Sequence, residues 1–344
     1  MLAAAFLSLS ACVFAAGPPV AHQTGAYDAT LVHRSPDSAA DKLVFRYGLP
    51  QAWRHTHDYD LAQETVRVHV PEGYDPAGEP MGLLVWASPS NNGAVPRAYA
   101  QVLADHRLIW VGVHGNGNRR QLMQRLGLTI DAAFNAPLYY NIDPERVYVG
   151  GLSGGGRISS RLGVNHAELF RGVLPVIGCD FYRPVEAPSR PGSFWRPFHG
   201  PTKRALRNAQ RQPLVIVTGT QDGNREQCEA YAKAYEQVGF KAVTFINVPG
   251  MGHTRPSAEV FSQALALLDK RPEPTPAETK RHAIGQKHLD AALAQHAEDP
   301  AAGLKALRRV ALRYDDTPAG RRARFAADRF EFGTAEPSAA TALE

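Results

Sequence analysis

Val147-Tyr148-Val149-Gly150-Gly151-Leu152-Ser153-Gly154-Gly155-Gly156-Arg157 is the stretch on which the rest of the chain turns. A short apolar run of β character drives into Gly-x-Ser-x-Gly, and a helical segment follows. In a strand–turn–helix setting this pattern is a nucleophile elbow, a strained turn that lifts a serine hydroxyl clear of the sheet. Small residues two before and two after the serine let the strand and helix backbones cross closely. The bland alternative is a plain Gly-rich turn, since the five-residue pattern is common, and the flanking strand and helix decide against it. A phosphate loop would close on Lys-Ser or Lys-Thr, which Gly156-Arg157-Ile158 does not provide.

Working outward, the chain has 344 residues, 44% hydrophobic and 21% charged. That is room for one large domain, or for a domain with an appendage. The net charge of +5 is spread along the sequence, which argues against a nucleic-acid interface. Met1 to Ala16 is small and apolar, too short to span a bilayer, and reads as a signal segment. Within it Leu9-Ser10-Ala11-Cys12 resembles a lipobox, so lipid attachment at Cys12 competes with simple cleavage after Ala15 or Ala16. A basic leader is missing, the first Lys or Arg being Arg34. The expectation is an exported protein: periplasmic, envelope-anchored through lipid, or secreted. Export would leave Cys179 and Cys228 as a pair, either a disulfide or two separate buried thiols.

Residues 17–60 are polar and punctuated by Pro and Gly, and read as a tether and lead-in. His55-Thr56-His57-Asp58 has a metal-site flavour, but Tyr59 and Asp60 break the pattern and a solvated loop is the expectation. From Thr65 strands and helices alternate, over 61–270. Strands are expected at Thr65 to Val70, Gly82 to Ala87, Leu108 to Val113, the elbow run, Gly172 to Ile177, Leu214 to Thr218 and Ala242 to Val248. Helices fall between them, the segment Arg119 to Tyr140 being broken near Pro137. This rhythm predicts an α/β fold with a mostly parallel, doubly wound sheet. An insertion at 180–212, rich in Pro and aromatics, reads as a cap or substrate-binding loop. Residues 271–344 read as a linker and a small helical array. Three of its segments open on Thr275-Pro276, Asp299-Pro300 and Thr317-Pro318, and Glu278 adds a capping box to the first. The array is either a partner-binding module or a stabilising appendage.

A serine hydroxyl needs a base. Downstream of Ser153, a strand ends in Gly219-Thr220-Gln221-Asp222-Gly223-Asn224, and the next ends in Val248-Pro249-Gly250-Met251-Gly252-His253. Ser, acid and His in that order, each at a strand end, make Ser153, Asp222 and His253 the expected triad. Taken singly, Asp222 reads as a turn former and His253 as a loop residue. Glu226 is the runner-up acid, at a helix start. One oxyanion donor is the N–H of Gly154, and the second should come from Ser88-Pro89-Ser90-Asn91-Asn92-Gly93. Pro89 has no N–H, which leaves Ser90, with Asn91 in reserve. His114-Gly115 is a superficial rival, expected at the end of the strand beside the elbow strand.

Asn141-Ile142-Asp143-Pro144-Glu145-Arg146-Val147-Tyr148-Val149, running into Gly151-Leu152-Ser153-Gly154-Gly155, resembles the branch of the α/β-hydrolase superfamily that holds polyhydroxybutyrate depolymerase-like and feruloyl or acetylxylan esterase-like proteins. The resemblance covers residues 62–269. It implies a sheet of about eight strands, ester hydrolysis through an acyl-enzyme, no cofactor and export. Ser88-Pro89, where many relatives have His-Gly, departs from the pattern. The expected activity is that of a serine esterase on a small-molecule or polysaccharide ester. Its rivals are a peptidase or acyltransferase on the same scaffold, and a non-catalytic envelope binding protein.

Overall fold

In a computed structural model, which describes residue 17 and residues 19–333, every apolar run named above becomes a strand of one sheet. The expected signal segment 1–16, with Cys12, lies outside the described residues. The sheet strands are β1 (Gly25–Thr30), β2 (Thr65–Val70), β3 (Met81–Ala87), β4 (Leu108–Val113), β5 (Ile142–Leu152), β6 (Gly172–Val176), β9 (Pro213–Gly219) and β10 (Ala242–Val248). A small hairpin, β7 (Val185–Glu186) and β8 (Phe194–Trp195), stands apart from them. The order in the sheet is β1-β2-β4-β3-β5-β6-β9-β10. Only the β1–β2 and β2–β4 pairings are antiparallel, so the expected mostly parallel sheet of about eight strands is what the chain forms.

Helices cover both faces, as parallel strands with apolar residues on each side require. On β3, Leu83, Val85 and Ala87 point to one apolar cluster while Leu84 and Trp86 point to the other. The first face is covered by α1 (Ala40–Arg46), α3 (Leu122–Tyr139), α4 (Gly154–Asn165) and α6 (Arg225–Gln237), the second by α2 (Ala100–Asp105) and α7 (Ala258–Leu268). Helix α3 runs on through Pro137 rather than breaking there. The proline is two residues from the helix end, and its carbonyl accepts from Arg329 Nε at 2.8 Å.

One reading of the sequence needs correction. Residues 17–60 are not a polar tether. They supply β1, an edge strand in full register with β2, and α1, whose Leu43 and Val44 are buried. Their polar residues are used inside the protein: Ser35 N–H and Ser38 Oγ donate to the buried Asp131 carboxylate at 2.8 and 2.5 Å, and Tyr59 O–H donates to it at 2.6 Å. His57 is buried against Tyr59, with ring centroids 4.9 Å apart. The insertion 180–212 carries the β7–β8 hairpin and α5 (Lys203–Ala209).

The last segment forms α8 (Pro276–Glu298), α9 (Pro300–Arg313) and α10 (Pro318–Phe332), each opened by the Thr-Pro or Asp-Pro cap noted above. They share a small core of Leu289, Leu307, Val310, Tyr314 and Ala323. Arg321 pairs with Glu145 at the start of β5, Arg324 with Asp37 at 2.6 Å, and Phe332 lies against Phe134. At the other end of the described chain, Gly17 O accepts from Thr30 N–H and His22 N–H donates to Tyr139 O. Arg329 donates to Tyr140 O at 2.7 Å, so the end of α10 and the stretch around His22 meet at the foot of β5, while Gly17 runs back to the Thr30 end of β1. Among the described residues no helix is long and apolar enough to cross a membrane.

Candidate active site

At the carboxyl end of β5 the chain turns abruptly into α4, and Ser153 takes the bend with φ 53° and ψ −115°. A non-glycine residue there is strained. The strain is held by its neighbours: Ser153 N–H donates to Val176 O at 2.7 Å, and Arg157 N–H closes the first helical turn on Ser153 O at 3.1 Å. A Cβ on Gly155 would lie 1.9 Å from Ala87 O, so the crossing of helix over strand requires glycine at that position. Ile177, just past β6, also has a positive φ, 48°, unusual for a β-branched residue. Asn224 Nδ2 bonds its carbonyl at 2.8 Å and holds the β6 end beside the acid loop.

The loops after β9 and β10 are laced together. Thr220 N–H donates to Val248 O and Gln221 N–H to Met251 O, both at 3.0 Å, and Gly250 N–H donates to Thr220 Oγ1 at 2.8 Å. This lacing places His253 over Asp222. His253 Nδ1 is 2.7 Å from Asp222 Oδ1, and Nε2 is 2.9 Å from Ser153 Oγ. A carboxylate only accepts, so Nδ1 carries the proton and Nε2 is left to accept from the serine hydroxyl. The Asp222 side chain is fully buried, and Thr218 Oγ1–H (2.6 Å) and Asn224 N–H (3.1 Å) donate to it. The imidazole is half exposed, so the serine faces solvent.

A serine on a strained strand–helix turn, with acid and histidine following in chain order from the next strand ends, is the defining arrangement of one fold. The chain has the α/β-hydrolase fold. No protein-family model and none of the curated proteins matches it. Among solved structures it is similar to S-formylglutathione hydrolase from Staphylococcus aureus, at 15% identity and a TM-score of 0.46 over 73% of this chain and 97% of that one. It is also similar to a poly(3-hydroxybutyrate) depolymerase from Bordetella parapertussis, at 21% identity and a TM-score of 0.41 over 63% and 87%. A third likeness is to a putative dipeptidyl aminopeptidase IV from Bacteroides ovatus, at 14% identity and a TM-score of 0.45 over 70% and 35%. Likenesses this distant assign no activity to the α/β-hydrolase fold seen here.

The remaining expected site residues fall as follows. Glu226, the runner-up acid, is turned away from His253 and accepts from Ser189 N–H at 2.5 Å and Ser189 Oγ–H at 2.7 Å. Gly154 opens α4, where first-turn amides have no partner within the helix, so its N–H is available. The N–H of Ser90, expected as the second oxyanion donor, instead donates to Ser88 Oγ at 3.2 Å. The turn that Pro89 imposes brings that hydroxyl back under the amide. His114 does not end the strand beside β5: β3 stands between β4 and β5. Its Nδ1 accepts from Gly93 N–H at 3.1 Å, and its Nε2 lies 3.0 Å from Asp28.

Cys179 and Cys228 are free buried thiols rather than a disulfide. Burial pushes the Cys228 thiol up to about 12, with Asp222 adding to the effect, and holds Cys179 well above the ordinary thiol range. Both therefore behave as neutral apolar groups. The insertion is anchored at its start: Asp180 accepts from Arg157 at 2.7 Å and from Arg161 at 2.6 Å, and Phe181 packs on Tyr235. Sequence reasoning passed over Arg125, whose buried guanidinium donates to Asn116 O at 2.9 Å and Ser88 O at 3.1 Å. It ties the loop after β4 to the loop after β3. Only a charge inside an apolar helical face hinted at this.

Proposed function

We propose that the protein is an exported serine esterase, a carboxylic-ester hydrolase acting on a small-molecule or polysaccharide ester. The observation that supports the reading is the unbroken chain from Ser153 Oγ through the His253 imidazole to Asp222, at 2.9 and 2.7 Å. Ser153 Oγ attacks the ester carbonyl carbon while its proton passes to His253 Nε2, and the carbonyl π pair moves onto oxygen. Collapse of that intermediate breaks the bond to the alcohol, which leaves with the proton from Nε2. Water, activated by the same nitrogen, then cleaves the acyl-enzyme and releases the acid. Asp222 fixes the imidazole tautomer and stabilises the imidazolium throughout. The half-exposed imidazole gives water a path to the acyl-enzyme.

The test is turnover of a short-chain nitrophenyl ester together with labelling by a fluorophosphonate. The parent protein should hydrolyse the ester and take one label, at Ser153, and Ser153→Ala should do neither. Full hydrolysis by Ser153→Ala would sink the reading. Turnover of amides in preference to esters would turn it to a peptidase, and transfer to an added alcohol to an acyltransferase. Export rests on residues 1–16, and mass spectrometry of the mature N-terminus tests both it and lipid at Cys12.

A further inference from the structure

We propose that Asn118 completes the oxyanion hole, its side-chain Nδ2–H supplying the second donor from the loop after β4. The inference rests on the esterase reading and deepens it. In this fold the second donor comes from the backbone between β3 and the following helix. Here Pro89 has no N–H, and the Ser90 N–H is engaged by Ser88 Oγ at 3.2 Å. Asn91 turns its oxygens toward the loop after β4, accepting from Gly115 N–H at 3.0 Å and, through Oδ1, from Gly117 N–H at 3.3 Å. These bonds draw the β4 loop across the site. Asn118 N–H donates to Pro89 O at 2.9 Å, and Arg125 clamps the two loops from beneath.

The Asn118 side chain is thereby delivered to the elbow. A Cβ built on Gly154 would fall 1.9 Å from Asn118 Oδ1, 2.7 Å from Cγ and 2.9 Å from Nδ2. The carboxamide thus packs against the residue whose N–H is the first oxyanion donor, Oδ1 nearest. Asn118 is exposed, and its carboxamide makes no hydrogen bond to another described residue. A half-turn about its last bond exchanges Oδ1 and Nδ2. A hydrogen-bonding group whose backbone is tied to Pro89 O, left without a side-chain partner and set beside the residue that follows the nucleophile, is placed to meet charge that appears only during reaction. Gly154 has a second role in this arrangement, because any side chain there would occupy the space of the carboxamide.

Substitutions at two sites carry the test, with nitrophenyl ester turnover as the readout. Asn118→Ala should lower kcat by about 10²–10³-fold with little change in KM. The affinity for a boronic-acid transition-state analogue should fall by a matching factor. Asn118→Asp, which keeps the shape but loses the donor, should not rescue turnover. Gly154→Ala displaces the carboxamide and should cost a comparable factor, and the double variant should be no worse than either single one. Asn118 is exposed and Gly154 half-buried, and unchanged melting confirms the fold. If Asn118→Ala and Asn118→Asp stay within about threefold of the parent in kcat while Ser153→Ala is dead, the inference fails and the esterase reading stands. A loss confined to KM, or multiplicative losses in the double variant, overturns it equally. A parent that neither turns over ester nor labels at Ser153 overturns both.

Discussion

At the residue scale the site is a problem of holding three side chains in line, and the burial of each sets its part. Asp222 is fully enclosed and has hydroxyl, amide and imidazole donors around it, so its charge is satisfied on all sides. Asp222→Asn would keep the shape and the packing. The amide would face Nδ1 with either group, and the tautomer that leaves Nε2 free to accept would no longer be enforced. Turnover should fall by about 10⁴, the scale seen when the same acid is amidated in serine proteases, and stopped-flow kinetics on a chromogenic ester reads it directly. A fall of less than about tenfold would remove Asp222 from the mechanism. Ser153, Asp222 and His253 were legible in the sequence because each follows an apolar run and has a glycine beside it. Asn118 was not. In Gly115-Asn116-Gly117-Asn118 it reads as a turn former, and its position follows only from a backbone bond to a loop some thirty residues earlier.

Among the elements, the segment before β2 behaves least as its composition suggests. Its polar residues are consumed by α3, where Asp131 collects bonds from Ser35, Ser38 and Tyr59. An alternation of only six residues in β1 is too short to distinguish an edge strand from a linker, and serines that cap a buried carboxylate look like solvated loop. Burial raises Asp131 from its ordinary 3.8 to about 6, the bonds from Ser38, Tyr59 and Ser35 only partly opposing it. The folded state then holds that proton more tightly than the unfolded chain, so the stability it contributes is full below about pH 4 and lost as pH rises through about 6. His57, on the other side of Tyr59, goes the opposite way. Burial first, and then the Arg34 guanidinium, lower it from 6.5 to about 4, so its contribution is full above 6.5 and lost as pH falls toward 4. The two slopes oppose each other across much of the same window. Asp131→Asn removes one of them, and urea denaturation from pH 4.5 to 6.5 should then show stability rising by ~1–2 kcal/mol more in the variant than in the parent. A variant with the parent's pH dependence would refute the compensation.

On the scale of the whole molecule, the tail and the catalytic rim occupy opposite ends of the central strand. Glu145, which receives Arg321, and Ser153 are eight positions apart on β5, roughly 26 Å at the rise of an extended strand. Glu145 is also within 3.6 Å of Arg171, and Arg271 bonds its backbone carbonyl. Arg321 itself is only 4% exposed. Removing Arg321 strips both Glu145 carboxylate oxygens of their direct donors and leaves only the longer contact with Arg171, so Arg321→Met should cost about 3–5 kcal/mol. Arg281→Ala, in the exposed pair with Asp316, should cost less than about 1 kcal/mol. Neither should alter kcat, and denaturation curves beside ester kinetics check both statements. The caps of the three tail helices were plain in the sequence, each a Thr-Pro or Asp-Pro. Where the helices would dock was not, because the arginines that fasten them look like ordinary surface charges until their acids are placed. The docking of α10 beside Pro137 and Tyr140 has a practical outcome. Coupling the protein to a bead or a sensor surface through the end of α10 would turn the reactive mouth outward, with its approach unobstructed by the support.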